Sequence, residues 1–336
     1  MARIAFIIGE RFLYWDSILL ALAAAAAICV FLSLYLTTPG RGAAAAAAVP
    51  MALVLSMVLS RLVHWYCRVD SYASLWAALT NYSTGGYALM GAFAGCALTA
   101  LILRLVKLSD GMGAMLDCMS LAGAAGIALG RLASFFDGSA RGMLISSVKS
   151  LPWVYPVMNQ VSGQLEYRLA TFLLQSVITA VILVVLLILW LRERRAGTTE
   201  DGDICLLFLL CHGAVQVALD STRYDSLFFR SNGFVSIVQV LGALAIGLAA
   251  IVFSVRLVRR RGFKAWYLAL WLAIAALLGL GGYMEYHVQR HASEAVFAYS
   301  MMSLALAGLM GMVFWIRALA GKKPVPVRAA KYLNKG

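Results

Sequence analysis

Nine apolar stretches follow one another along the chain, at residues 15–37, 43–64, 86–106, 112–132, 168–191, 204–222, 235–256, 264–285 and 295–316. Each is close to the roughly 20 residues that a helix needs to cross a bilayer. The polar connections between them are short, and none leaves room for a soluble domain. This pattern predicts an all-α, polytopic transmembrane bundle of about nine spans. No small-residue cleavage site followed by a polar chain comes after the first stretch, so it reads as an uncleaved helix rather than a signal peptide.

The polar positions inside the spans are few and unevenly placed. The sixth span reads CHGAVQVALDSTRYD, in which His212, Gln216 and Asp220 repeat at four-residue spacing and Arg223 follows. That spacing puts three polar groups on one face of an otherwise apolar helix. Span two ends with Arg61 and His64, and span four ends GRLASFFDGSARG with Arg131, Ser134, Asp137 and Arg141. Spans one and five begin with Tyr14, Trp15 and Asp16, and with Gln164, Glu166, Tyr167 and Arg168. An ionisable residue within a span is costly and marks a site or an internal partner. Arg61 reads equally as a snorkelling side chain, Arg141 and Arg168 as headgroup-level residues, and Trp15, Trp65 and Tyr66 as interface aromatics.

Charge orients the bundle. Arg104 and Lys107, the cluster Arg192, Arg194 and Arg195, the run Arg256 to Lys264, and tail residues Lys322, Lys323, Arg328, Lys331 and Lys335 all fall on one side. The positive-inside rule makes that side cytoplasmic, with the N-terminus outside and the C-terminus inside. Arg61, Arg131, Asp220 and Arg223 then lie together at the outer side. The net charge of +13 sits in these short loops and is not a nucleic-acid footprint. Composition agrees: 62% of residues are hydrophobic and only 13% charged, against about 25% charged in a soluble domain.

Six cysteines (Cys29, Cys67, Cys96, Cys118, Cys205, Cys211) show no CxxC spacing and read as buried packing residues. Alanines at 23–27 and 43–48, with Gly91, Gly95, Gly126 and Gly130, offer close helix contacts. EYHVQRHASE in the last outer loop holds Glu285, His287, His291 and Glu294. Its His-x3-His pair lacks a clear third ligand, so no metal is expected.

Taken in order, these segments resemble the prolipoprotein diacylglyceryl transferase family. The family's Gly-Arg-x-Gly-Asn-Phe-x-Asn-Gly-Glu is similar to Gly130-Arg131-Leu132-Ala133-Ser134-Phe135-Phe136-Asp137-Gly138-Ser139. Its sixth-span Tyr, Arg, Glu and Arg are matched by His212, Gln216, Asp220 and Arg223, and its Ser-x-x-Gln-x-Leu by Ser236 to Leu241. Gln164-Leu165-Glu166-Tyr167 resembles Gln-Leu-Tyr-Glu, while Tyr14-Trp15 and Arg61 echo motifs of spans one and two. The likeness covers about residues 10–260. Met90 stands where the family has histidine, Ser134 for asparagine, Ser139 for glutamate and Gln216 for arginine.

The resemblance implies a transferase-like membrane domain over 1–260, two added helices over 261–320 and a basic tail over 321–336. It implies a multi-pass protein of the bacterial inner membrane, with its site facing the outer leaflet. The implied reaction moves diacylglycerol from phosphatidylglycerol to the lipobox cysteine of a preprolipoprotein, with no cofactor and no nucleic acid. Arginine suits the phosphodiester, being always charged and able to meet it with a bidentate fork. The expected catalytic residues are His212, Asp220 and Arg131, with His212 a base oriented by Asp220 through Gln216 or water. The expected substrate contacts are Arg61, Arg131, Ser134, Gly138, Gln164, Gln216, Arg223 and Gln239. An inactive relative that binds lipid or lipoprotein stays open as the alternative. A transporter is disfavoured, since no inverted repeat and few proline-broken spans are seen.

Overall fold

The structure, a computed structural model, describes residues 4–9, 11–38, 40–81, 86–109, 111–145, 153–158, 163–198, 200–229, 232–291 and 294–321. The basic tail residues from 322 onward lie outside the described residues. The helices are α1 (Trp15–Tyr35), α2 (Gly42–Cys67), short α3 (Leu75–Thr80), α4 (Leu89–Leu105), α5 (Met112–Gly130) and one-turn α6 (Ser134–Asp137). They continue as α7 (Thr171–Arg195), α8 (Asp203–Ser221), α9 (Ile237–Arg261), α10 (Trp266–Arg290) and α11 (Ala295–Ala320). Among the described residues, eight helices are long and apolar enough to cross a membrane, and α4 is a shorter apolar helix. The fold is the helical polytopic bundle that the hydrophobic pattern predicts.

Consecutive spans run antiparallel. Small residues set how closely they approach. A Cβ on Gly91 or Gly95 would come within 2.4 Å of the α2 backbone at Ser60 and Ser56, so α2 and α4 touch backbone to backbone. The α8–α9 crossing is made the same way, with Gly213 against the Gly242 carbonyl. Gly126 faces Ala27 of α1 at a tight 3.2 Å and Gly130 faces Ala23 at an ordinary 3.6 Å, measured from where a Cβ would stand. Two cores result. One joins α1, α2, α4 and α5 around Phe31, Tyr35, Leu103 and Met115. The other joins α5 and α7 to α11 around Leu207, Phe253, Leu309 and Ile316.

Three hairpins, absent from the helix-period reading, lie at one end of the bundle. β1 (Ile4–Ile8) pairs with β2 (Arg11–Tyr14) and enters α1; β3 (Val154–Met158) pairs with β4 (Leu165–Leu169) and enters α7; β5 (Phe228–Phe229) pairs with β6 (Asn232–Ser236) and enters α9. Strand pairing satisfies backbone groups where the chain leaves a helix at a membrane face.

At the other end three arginines are paired. Arg317 of α11 reaches Glu193 at 2.7 Å and Asp203 at 3.0 Å, Arg260 reaches Glu200 at 2.7 Å, and Arg256 also bonds Asp203. Asp117 accepts the Gly202 and Cys205 N–H groups at 2.8 Å, placing a carboxylate on the N-terminus of α8.

The cysteines are free thiols. Only Cys118 is fully buried; Cys29 is exposed and the other four are half-buried, because helix faces at the bundle surface meet lipid rather than protein. His287 and His291 belong to the end of α10, stacked at 4.5 Å, and His287 pairs with Glu294 at 2.9 Å. Among the described residues no cluster of three metal-ligating side chains occurs.

Candidate functional site

At the hairpin end, α5 finishes in a 3₁₀ turn at Arg131–Ala133, and α8 finishes at Ser221. Both ends point their last polar residues toward the start of α4. A small cavity of about 70 Å³ forms there, lined by Tyr87, Met90, Arg131, Gln216, Asp220 and Arg223, with Leu227, Ile237 and Val238 among the apolar walls. Four expected site residues therefore meet at one place. Met90, standing where the family has histidine, faces the same cavity.

The four differ in how they are held. Arg223 lies 3.4 Å from Asp220 and 2.9 Å from Asp225. Asp220 also accepts a hydrogen bond from Ser236 Oγ. Gln216 Oε1 accepts from Gln175 Nε2 of α7, while Gln216 Nε2 is buried without a hydrogen bond. Among the described residues the Arg131 guanidinium makes no hydrogen bond or ion pair. The lining thus holds two cations and one committed carboxylate, an arrangement suited to a phosphate monoanion.

Asp225 lies outside the spans and organises the rim. Burial alone would raise its carboxyl, but the Arg223 guanidinium and its hydrogen bond hold it below the usual carboxylate range. Burial likewise opposes the charge on Arg223, and Asp225 with Asp220 raises that group above its ordinary value. The second Asp225 oxygen accepts the Ala140 N–H at 2.9 Å. Ala140 sits at φ +52°, a strained conformation for a residue with a Cβ, and this bond helps to hold it there.

The remaining expected residues take other places. Arg61 is 1% exposed and does not line the cavity. Its guanidinium donates to the carbonyls of Ala78 (2.6 Å), Gly86 (2.8 Å) and Asn81, between the rings of Tyr72 and Tyr87. These bonds tie down the segment that carries Tyr87 and Met90. The expected span from residue 86 accordingly begins only at Leu89. Ser134 bonds Ser139 at 2.9 Å inside the signature loop. Gly138, at φ +79°, makes the turn that ends α6 and offers its carbonyl to Arg141 at 3.0 Å. Arg141 itself is buried, with its guanidinium over the Tyr155 ring. Gln239 closes a capping box with Ser236 at the start of α9, at 3.0 and 3.1 Å, so it holds the Asp220 partner in place. Gln164 is exposed at the start of β4, away from the cavity lining.

His212 departs most from expectation. It is buried, stacked on Phe208 at 5.0 Å and edge-on to Phe93 at 5.5 Å, and neither ring nitrogen makes a hydrogen bond. It does not line the cavity. The expected link from His212 through Gln216 to Asp220 is not formed: neither His212 nitrogen is bonded, Gln175 takes the Gln216 oxygen, and Ser236 takes one Asp220 oxygen while the other lies 3.4 Å from Arg223 without a hydrogen bond.

Gln175, Asp225 and Tyr87 escaped the sequence reading. One signal was present for the first: Thr171, Gln175 and Thr179 repeat at the same four-residue spacing as His212, Gln216 and Asp220. All three α7 residues are buried, and Thr171 meets Thr222 at 3.1 Å.

Fold and cavity together define a multi-pass helical membrane protein with an arginine-lined chamber at one end of the bundle. The family model for prolipoprotein diacylglyceryl transferase matches residues 3–255, from β1 almost to the end of α9, and the chain belongs to that family. It is similar to the phosphatidylglycerol–prolipoprotein diacylglyceryl transferase of Streptococcus equi subsp. equi, 29% identical over 137 residues (41% of this chain, 49% of the relative). It is also similar to the enzyme of that name from Streptococcus pyogenes, 25% identical over 218 residues (64% of this chain, 78% of the relative). The match spans about half the length of the first of these relatives. α10 and α11 lie outside the matched region.

Proposed function

We propose that this protein is a phosphatidylglycerol-dependent diacylglyceryl transferase acting on the lipobox cysteine of preprolipoproteins in a bacterial inner membrane. The observation that carries the reading is that Arg131, with no ion pair among the described residues, lines one cavity with Arg223. In this reading the hairpin end faces the outer leaflet, the C-terminus is cytoplasmic, and residues 1–260 form the transferase domain to which 261–320 add two helices.

The reaction asks for charge relief on a departing phosphate. The acceptor sulfur attacks the terminal glyceryl carbon, so a C–S bond forms as the bond from that carbon to the phosphate ester oxygen breaks. The electron pair leaves on the phosphate oxygen, the thiol proton goes to that phosphate or to water, and glycerol phosphate departs. The two guanidiniums meet the monoanion and then the greater charge of the product, which is the differential binding that speeds the step. Gln216 Nε2 supplies a neutral donor where the family has a cation.

A second reading, lipid or lipoprotein binding without transfer, is favoured by one observation. Among the described lining residues only Asp220 could act as a base, and Ser236 and Arg223 already engage it. Incubating the purified chain with phosphatidylglycerol labelled in its diacylglyceryl moiety and a lipobox peptide separates the two. Label on the peptide supports transfer; saturable lipid binding with none on the peptide selects the second reading.

A further inference from the structure

The two helices beyond the matched region leave an opening in the bundle wall. α10 packs on α11, and α11 packs on α9 and α8, whereas α9 and α10 stand apart for most of their length. The gap between them is a crevice of about 600 Å³, with Gly247, Ser254, Val258, Arg259, Trp271 and Leu278 among its lining. Trp271 Nε1–H bridges it by donating to Ser254 Oγ at 3.0 Å. Otherwise the walls are aliphatic.

Length, surroundings and charge all bear on what fills this crevice. From Gly247 to Arg259 it runs about 18 Å along α9, at roughly 1.5 Å per residue. That is close to half of a hydrocarbon core roughly 30 Å thick, so the slot has the reach of one leaflet's acyl chain. Within a bilayer an aliphatic slot is closed to water by its own chemistry. At its mouth stands an available cation: Arg256 and Arg260 are committed to Asp203 and Glu200, while Arg259 makes no ion pair among the described residues. A guanidinium at headgroup depth beside an aliphatic slot matches a phosphate with a hydrocarbon tail.

We propose that the α9–α10 crevice binds an anionic phospholipid of the leaflet on the C-terminal side of α9, with one acyl chain between the helices and the phosphate on Arg259. The positive-inside bias assigns that leaflet to the cytoplasm. The lipid fills the space separating α10 from the core, and α10 in turn reaches Ser221, the neighbour of the cavity residue Asp220. Glu285 accepts the hydrogen bond of Ser221 Oγ, next to Asp220, and Tyr299 Oη–H of α11 donates to the Ser221 carbonyl at 3.2 Å. This crevice lies at the opposite end of the membrane from Arg131, and the proposal does not depend on the transfer reaction.

The test uses the full chain purified in mild detergent, delipidated, and titrated with phosphatidylglycerol or phosphatidylethanolamine of matched chains. Bound lipid is counted by native mass spectrometry and its stabilisation read from thermal unfolding. Wild type is expected to bind the anionic lipid at this crevice about tenfold more tightly, the scale of one charge-assisted hydrogen bond, and Arg259→Gln to remove that site's preference while the Arg131 cavity keeps its own. Gly247→Leu is expected to weaken both lipids, since nothing lies within 4 Å of a Cβ there and the side chain fills the slot without a clash. Arg259→Gln alters an exposed helix end, so it keeps the test open if Gly247→Leu fails to fold. To separate this crevice from the Arg131 cavity, the titration is repeated in Arg131→Ala, which is expected to keep the Arg259-dependent preference. Equal affinities in wild type, a preference that survives Arg259→Gln in the Arg131→Ala background, or a dimer that excludes lipid from this face would each overturn the proposal.

Discussion

Both ends of this bundle bury charge, but they do so differently. At the basic end Arg256, Arg260 and Arg317 face Glu193, Glu200 and Asp203, and each arginine has a carboxylate. The network ties α11 to α7 and α8 and anchors the added helices. At the hairpin end Arg131 makes no ion pair among the described residues, and Gln216 Nε2 and Gln175 Oε1 are buried without partners. Breaking a paired cluster costs stability, whereas an unpaired cation beside unused donors costs stability as it stands and is repaid by a ligand. The contrast teaches that an arginine marks a site by what it lacks rather than by its burial, since Arg131 is only half-buried while Arg61 is fully buried and satisfied.

The sharpest way to break this comparison is Arg131. Arg131→Ala is expected to lower lipid-dependent turnover by about 10²–10³-fold, the scale of losing one transition-state donor, with folding stability unchanged or raised. Arg131→Lys should keep part of the activity, because it keeps the charge but not the planar fork. Labelled transfer and thermal unfolding on the same samples decide it; a stability loss with intact turnover would make the two ends alike.

At the other end Asp203→Asn should do the converse. It strips Arg256 and Arg317 of a shared carboxylate and is expected to cost about 3–5 kcal/mol of stability, as for a broken buried pair. Turnover per folded molecule should stay within a few-fold. Next in size is Gln175→Leu, which frees the Gln216 carboxamide and should raise the apparent KM for lipid about tenfold, one hydrogen bond to a charged ligand, with little change in kcat.

A pH titration sharpens the role of the rim. The Asp225 carboxyl is held below its ordinary value, so its contribution to stability is present above the unfolded-state value near about 4. That contribution is lost as pH falls through the lower folded value. Acid unfolding followed by tryptophan fluorescence should show this limb in wild type and a flatter one in Asp225→Asn. The smallest effect is expected at His212. His212→Phe suits the stack of Phe93 and Phe208, removes two unbonded ring nitrogens, and should raise stability by about 1 kcal/mol with turnover within a few-fold. A hundredfold loss would restore His212 as the base.

Much of this protein was legible as a pattern. The bilayer imposes a length and a polarity on every crossing segment, so nine apolar runs predict nine crossing helices without any partner being known. The four-residue repeat of His212, Gln216 and Asp220 marks one face of α8 for the same reason, since helix geometry depends only on spacing. The arginine-bearing ends of α5 and α8 follow from the count of crossings.

What each polar side chain does there was decided by tertiary contacts. Arg61 and Arg131 look alike in sequence, each near a span end, yet Arg61 meets three carbonyls of a returning loop and Arg131 meets none. His212 and Gln216 lie one turn apart on the same stripe, but Phe93 of α4 covers one and Gln175 of α7 turns the other toward the cavity. These partners come from distant parts of the chain, and the geometry of hydrogen bonds across helices is not encoded in any local window. Local spacing set which face of each helix is polar; only the packing of α4, α5, α7 and α8 decided which polar groups are satisfied by protein and which are left for a ligand.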